Sequence, residues 1–224
     1  TSGEACSVAL SDGENVIERY EHAPRRHAEL LLPAVREVLA EGGLAISDVD
    51  AIAFGRGPGS FTSLRIGIGV VQGLAWGADR PVVPVSSLAA VAQQARDLAD
   101  DPGLCICVAM DARMQEVFSA AFRDGGRGVV ESIGAETVGP AGKVTAPAAE
   151  FVAAGNGFER FDELSDLGSR AVHCFTDLWP RASTVITLAR EWLRDQEALP
   201  PALAQPVYIR NDVASKPKPG PGSE

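Results

Sequence analysis

The sequence predicts an α/β protein of two similar halves separated by a cleft. Three observations predict it. Each half opens on a pair of short apolar runs joined by a polar turn, amphipathic helical stretches alternate with strand-like runs, and Asp100-Asp101-Pro102-Gly103 breaks the chain near its middle. No repeat is visible residue by residue, so the duplication lies in the order of the elements.

The first half begins with residues 4–10 and 15–20, two runs of strand character joined by Ser11-Asp12-Gly13, whose polar and glycine residues suit a reversal. Over residues 25–41, Ala28, Leu31, Val35, Val38 and Leu39 recur at three- and four-residue steps with Arg and Glu between them, and Gly42-Gly43 stops the helix. Residues 49–54 form a short apolar strand that enters Gly55-Arg56-Gly57-Pro58-Gly59, after which Ser60 or Thr62 can cap a second helix. Residues 82–85 form another strand, and Ser86 or Ser87 caps a third helix that reaches about Leu98.

The pattern then restarts. Residues 104–110 are apolar and β-rich, Asp111-Ala112-Arg113 turns, and residues 116–122 return as the second strand of a hairpin. A loop at residues 125–128, a short strand at 151–154 ending in Gly155-Asn156-Gly157, and an amphipathic helix at 182–197 follow. These signals place one domain at residues 1–102 and a second at 103–214, with a disordered tail, rich in Pro, Gly and Lys, at 215–224. The run at residues 4–10 has almost no lead-in, an expectation that further residues belong ahead of Thr1.

Hydrophobic residues make up 46% and charged residues 22% of the 224, the composition of a chain that folds. A net charge of −10 opposes a phosphate backbone, so any RNA role calls for a partner. Cys6, Cys105, Cys107 and Cys174 make neither a CxxC pair nor a Cys/His cluster, and read as reduced thiols. No run approaches the roughly 20 apolar residues of a membrane span and no leader pattern opens the chain, so the expected location is the cytoplasm.

The most distinctive segment is residues 55–67, a glycine loop feeding a helix amino end, where free amides can face an anion. It is not a Walker A loop, because Gly-Lys-Ser/Thr never appears, and a tight strand-to-helix turn explains it as well as a ligand does. The helix that follows carries Gly67, Gly69, Gly73 and Gly77, each costing about 1 kcal/mol relative to alanine, so a packing reason is required. Either the protein's own domain or another protein lies against that face. His22 and His27 are five apart and His173 is distant, which makes a metal site a poor reading; His27 is expected to be solvated beside Glu29. Asp111-Ala112-Arg113-Met114-Gln115-Glu116 reads as a structural hairpin in preference to a phosphate site, because glycine is missing from it. Gly155-Asn156-Gly157 either admits a nucleotide base or simply turns.

These residues together resemble the TsaB (YeaZ) family of tRNA threonylcarbamoyladenosine biosynthesis, within the glycoprotease-like and actin-like ATPase superfamily. The resemblance rests on the opening Thr1-Ser2-Gly3-Glu4-Ala5-Cys6-Ser7-Val8-Ala9-Leu10, on residues 27–33 and 57–67, and on residues 111–118, 155–158 and 206–210 in that order. Ser63 stands where the signature usually has glycine, and the acidic residue the family places just ahead of Thr1 is not in this sequence, which weakens the case for phosphate binding.

The resemblance implies two actin-like (ASKHA, ribonuclease H-like) domains with mixed sheets flanked by helices. It also implies a non-catalytic subunit that pairs with the catalytic paralogue TsaD through two helices of the first domain. TsaE, an ATPase, is a further implied partner, tRNA is contacted indirectly, and a homodimer is expected when the chain is alone. The HxxxH metal motif of TsaD is reduced here to His27 with Leu31 four residues on. The expected interface is His27, Leu31, Val35, Leu64, Ile68, Val71 and Ala75; the residues nearest any nucleotide are Gly57, Gly59, Asp111, Gly155 and Gly157. No cofactor is required of this chain, with ATP or ADP at the cleft or partner interface left open. An ATP-dependent kinase or hydrolase using the cleft is the rival reading, and a metallopeptidase ranks last.

Overall fold

In the computed structural model, residues 1–210 are described; the expected tail at 215–224 and the last residues of the second expected domain, 211–214, lie outside them. The first half runs β1 (Ala5–Ser11), β2 (Val16–His22), α1 (His27–Gly42), β3 (Ile52–Gly57), α2 (Phe61–Ala78), β4 (Val82–Ser86) and α3 (Ser87–Ala99). The second runs β5 (Cys105–Arg113), β6 (Glu116–Asp124), β7 (Val130–Ser132), β8 (Thr137–Pro140), β9 (Phe151–Ala154), α4 (Gly157–Arg160), α5 (Ser165–Arg170), β10 (His173–Phe175) and α6 (Ala182–Asp195).

Local chemistry sets these boundaries. Asp12 Oδ1 accepts from the backbone N–H groups of Glu14 and Asn15 at 3.0 and 2.8 Å, closing the first hairpin with an Asx turn. Helix α1 stops where Gly43 takes φ 65° and donates its N–H to Ala40 O. The hydroxyl of Ser86 caps α3 by accepting from Ala89 N at 3.1 Å.

Two boundaries differ from the sequence reading. Strand β3 begins at Ile52, not at residue 49, and continues through the glycines to Gly57, because Gly57 pairs with Ser86 and tolerates φ 102°. Residues 111–113, read as a turn, are strand, since Asp111 pairs with Val117 and Arg113 with Glu116, so the reversal falls at Met114 and Gln115.

The second half holds one six-stranded mixed sheet in the order β10-β9-β5-β6-β7, with β8 also on β6. Strand β5 is antiparallel to β6 and parallel to β9, which is parallel to β10. The first half carries two two-stranded pieces, the antiparallel β1–β2 and the parallel β3–β4. Alternate residues of β3 face opposite ways: Ile52 and Phe54 pack with Ile68, Val71 and Ala75 of α2, whereas Ala53, with Ala51 just ahead of the strand, packs with Val185 and Ala189 of α6. Helix α6, late in the sequence, thus returns to cover the first half. Helix α3 buries Leu88, Val91, Ala92 and Ala95 against β5, β6 and β9, tying the halves together.

Candidate functional site

The cleft encloses about 1000 Å³ between Ser2, Glu4, Arg25 and His27, the Pro58–Ser63 stretch, Asp111–Arg113, Asn156 and Arg210. Two acidic and two basic side chains meet in it. Arg113 reaches Glu4 at 2.6 Å and Asp111 at 3.5 Å, while Arg160 reaches Asp111 at 2.9 Å and Glu4 at 3.4 Å. Glu4 enters from the first half and the other three from the second, so the cluster spans the cleft. Arg210 pairs with Glu116 and donates to Ala112 O at 3.3 Å, which commits a further cation. The sequence reading did not pick out Glu4 or Arg160 as site residues, because the contacts that join them to Arg113, to Asp111 and to each other span 49 to 156 residues of sequence.

Each glycine expected near a nucleotide has a neighbour in the protein itself. A Cβ on Gly59 would overlap the Ser2 carbonyl, and one on Gly57, already at positive φ, would come 3.1 Å from Leu64 and Val207. At Gly155 and Gly157 it would stand 2.5 and 2.8 Å from Ala109 O. Backbone donors in this region are also committed: Ser60 N–H donates to Ser2 O at 2.8 Å, Gly155 N–H to Phe175 O at 2.9 Å, and Asp111 N–H to Asn156 Oδ1 at 2.9 Å. In the β5–β6 reversal Arg113, Met114 and Gln115 all hold positive φ, a conformation costing roughly 1–2 kcal/mol per residue, and the Arg113 N–H is taken by Asp111 Oδ1 at 2.8 Å. The cations and amides named here are committed within the protein and would have to be released to meet a polyphosphate.

The second candidate surface is the outer side of α2. Of its glycines, only Gly67 is answered internally, since a Cβ there would overlap the Thr1 hydroxyl; Gly69, Gly73 and Gly77 face open space. Beside them Phe61 and Trp76 are 47% and 65% exposed, and Leu32 of α1 is 42% exposed. Phe61 is held by the Arg65 guanidinium 3.9 Å above its ring and by Tyr208 at 5.4 Å. Trp76 stands one residue past the buried Ala75, where a large aromatic side chain has no core to enter.

The expected interface residues are placed differently. Leu31, Leu64, Ile68 and Ala75 are buried in the first half's own core, and Val35 and Val71 are half-buried, because the same periodicity that marks an apolar face also turns it inward. His27 is corrected too: it is 2% exposed, with Nε2 3.2 Å from Ala5 O, not solvated beside Glu29. Burial, and next the nearby N-terminal ammonium, hold its pKa below the usual histidine value. Burial alone pushes the Cys107 thiol up to about 12. No group of three or more His, Cys, Asp or Glu among the described residues is arranged to hold a metal, and no helix among them is long and apolar enough to cross a membrane.

Comparison with known proteins places this geometry in context. A family model described as "TsaD: tRNA N6-adenosine threonylcarbamoyltransferase" matches residues 15–216. The tRNA threonylcarbamoyladenosine biosynthesis protein TsaB of Escherichia coli K12 is 35% identical, over 98% of this chain and 96% of its own. The protein of the same name from Haemophilus influenzae is 37% identical over 98% and 95%. Among solved structures, YeaZ from Pseudomonas aeruginosa superposes with a TM-score of 0.85 at 41% identity, covering 93% of this chain and 96% of that one.

Proposed function

The chain belongs to the TsaB (YeaZ) family of tRNA threonylcarbamoyladenosine biosynthesis proteins, and on that premise we propose that it is the non-catalytic subunit that docks on a TsaD-type threonylcarbamoyltransferase. The observation that carries this reading is the outer face of α2. Gly69 and Gly73 face open space between the exposed Phe61 and Trp76, and Gly77 does so just beyond, although each costs helix stability of about 1 kcal/mol. A helix stripped of side chains lets a partner helix approach closely, and flanking aromatic residues supply the anchors that dominate interface energies. Docking is therefore redrawn onto Phe61, Gly69, Gly73, Trp76 and Leu32, with the earlier anchors supporting them from the core.

In this reading the transferase supplies the chemistry, a TsaE-type ATPase joins the same assembly, and tRNA is held by the partners, consistent with the net charge of −10. An isolated chain pairs with a second copy through the same exposed face. No cofactor is required of this subunit. The rival reading, an ATP-dependent kinase or hydrolase, draws on the size of the cleft; its crossed ion pairs and committed amides weigh against it, and calorimetric titration with ATP or ADP giving tight, stoichiometric binding to the isolated chain would revive it.

The test is light scattering after size exclusion, with the cognate TsaD-type protein mixed with wild type or with Gly73→Arg. Position 73 has no neighbour within the chain, so the variant folds. Loss of the heterodimer in the variant alone supports the surface; an unchanged complex removes it.

A further inference from the structure

Helix α2 presents its outer side as a stripe: Phe61, Arg65, Gly69 and Gly73 recur every fourth residue and are all exposed, and Trp76 and Gly77 close it. Arg65 is the only charged residue in the helix. Its guanidinium carbon lies 3.9 Å from the centroid of the Phe61 ring and 5.9 Å from that of Tyr208, and its Nε–H donates to the Tyr208 hydroxyl at 2.9 Å. Tyr208 is itself fixed by the segment it belongs to. Val207 N–H donates to Arg56 O at 2.8 Å, and Gln72 Nε2 donates to the carbonyl of the fully buried Ala204 at 2.8 Å.

An exposed arginine is thus held by two rings and a phenol, one of them brought from the far end of the chain. Only Nε is used in holding it. The terminal nitrogens, which carry most of the donors, have no hydrogen-bond partner among the described residues. The arginines nearer the cleft differ: Arg56, Arg113, Arg160 and Arg210 each reach a carboxylate, whereas Arg65 reaches none among the described residues. Fixing a long side chain costs rotamer entropy, and here that cost falls within the subunit, before anything binds.

A planar guanidinium fork of this kind matches a carboxylate or a phosphate. The net charge of −10 opposes an RNA backbone, and the stripe runs from Arg65 directly onto the bare helix surface at Gly69 and Gly73, so the carboxylate is favoured. We propose that Arg65 is a preorganised receptor for an Asp or Glu side chain of the TsaD-type partner, with Tyr208 as its positioning residue; this rests on the docking reading of α2. The contact would set register. A partner helix displaced by one turn along a stripe of glycines loses little apolar contact, but it loses the ion pair at the stripe's end.

The experiment is calorimetric titration of the cognate TsaD-type protein, free of RNA, with wild type, Arg65→Gln, Tyr208→Phe and the double variant. Arg65 is exposed, so neither the core nor the glycine stripe changes. At about 0.05 M salt Arg65→Gln is expected to weaken docking about tenfold, and at about 0.5 M salt the gap should close to about twofold, since an exposed ion pair is screened. Tyr208→Phe keeps the ring on Phe61 but removes the oxygen that aims Nε; it should weaken docking about threefold with Arg65 present and not at all in Arg65→Gln. Equal affinity of wild type and Arg65→Gln overturns the proposal and leaves the docking face standing. A loss of the same size at both salt concentrations also overturns it, because a loosened Phe61 gives that result and a lost ion pair does not. A deficit seen only once tRNA is added overturns it in favour of a phosphate contact. Failure of wild type to bind at all removes the docking reading and this proposal with it.

Discussion

The two halves share an order of elements but not a way of being held together. The second half is organised around β5, hydrogen-bonded on both edges and packed on both faces, with Val108, Ala109, Phe151 and Ala154 fully buried around it. The first half is organised by helices, with α1 and α2 on one side and α6 on the other bracing two sheet fragments across a slot. The difference teaches where function can be placed. The half with a continuous core has few exposed apolar side chains on its helices, whereas the half braced by helices presents Phe61, Trp76 and the open glycines.

The contrast in cores is the easiest to break. Phe151→Ala in the second half should cost about 3–5 kcal/mol in urea unfolding, while Val71→Ala, on the slot wall, should cost about 1 kcal/mol. Equal losses would mean that the first half is packed as tightly as the second. The contrast among glycines comes next. Gly59→Ala, whose Cβ would strike the Ser2 carbonyl, should destabilise by about 1–3 kcal/mol. Gly73→Ala should stabilise by roughly 0.5–1 kcal/mol, because nothing opposes the better helix former. A destabilising Gly73→Ala would show that the α2 face is already filled.

Across the cleft, a double-mutant cycle on Glu4→Gln and Arg113→Met should give a coupling of about 0.2–1 kcal/mol that fades with salt, as for a partly exposed pair. The pH response is the finest test. With the folded pKa of His27 below the unfolded value of about 6.5, the neutral form is favoured by folding, so its contribution is complete above that pH. On acidification the unfolded chain takes up a proton that the folded chain refuses, and stability falls until the lower folded pKa is passed. Melting temperatures between pH 7.5 and 5.5 should decline more for wild type than for His27→Gln.

Much of the fold was legible, and the misses have physical causes. The span of α1 could be read because its apolar steps end at a glycine pair, and the helix stops at Gly43 within a residue or two of the expected end. The three-residue strands β7 and β10 are too short for alternation to register. Residues 55–57 were read as loop because glycine is the usual mark of one, yet here it extends a strand. The candidate site was less legible. The resemblance put Leu64, Ile68 and Ala75 at an interface but could not tell a core face from a docking face; that depends on β3, β4 and Ala204, far off in sequence. The burial of His27 depends in the same way on the Ala5 carbonyl, 22 residues earlier.

The measurement that bears most directly on the subunit role is threonylcarbamoyladenosine formation on tRNA, reconstituted with the cognate TsaD-type transferase and its partners, comparing Gly73→Arg with the cleft variant Glu4→Gln/Asp111→Asn. The account predicts that the helix variant loses the product while the cleft variant retains it. Loss in the cleft variant with full activity in the helix variant would contradict it and make the cleft the working site.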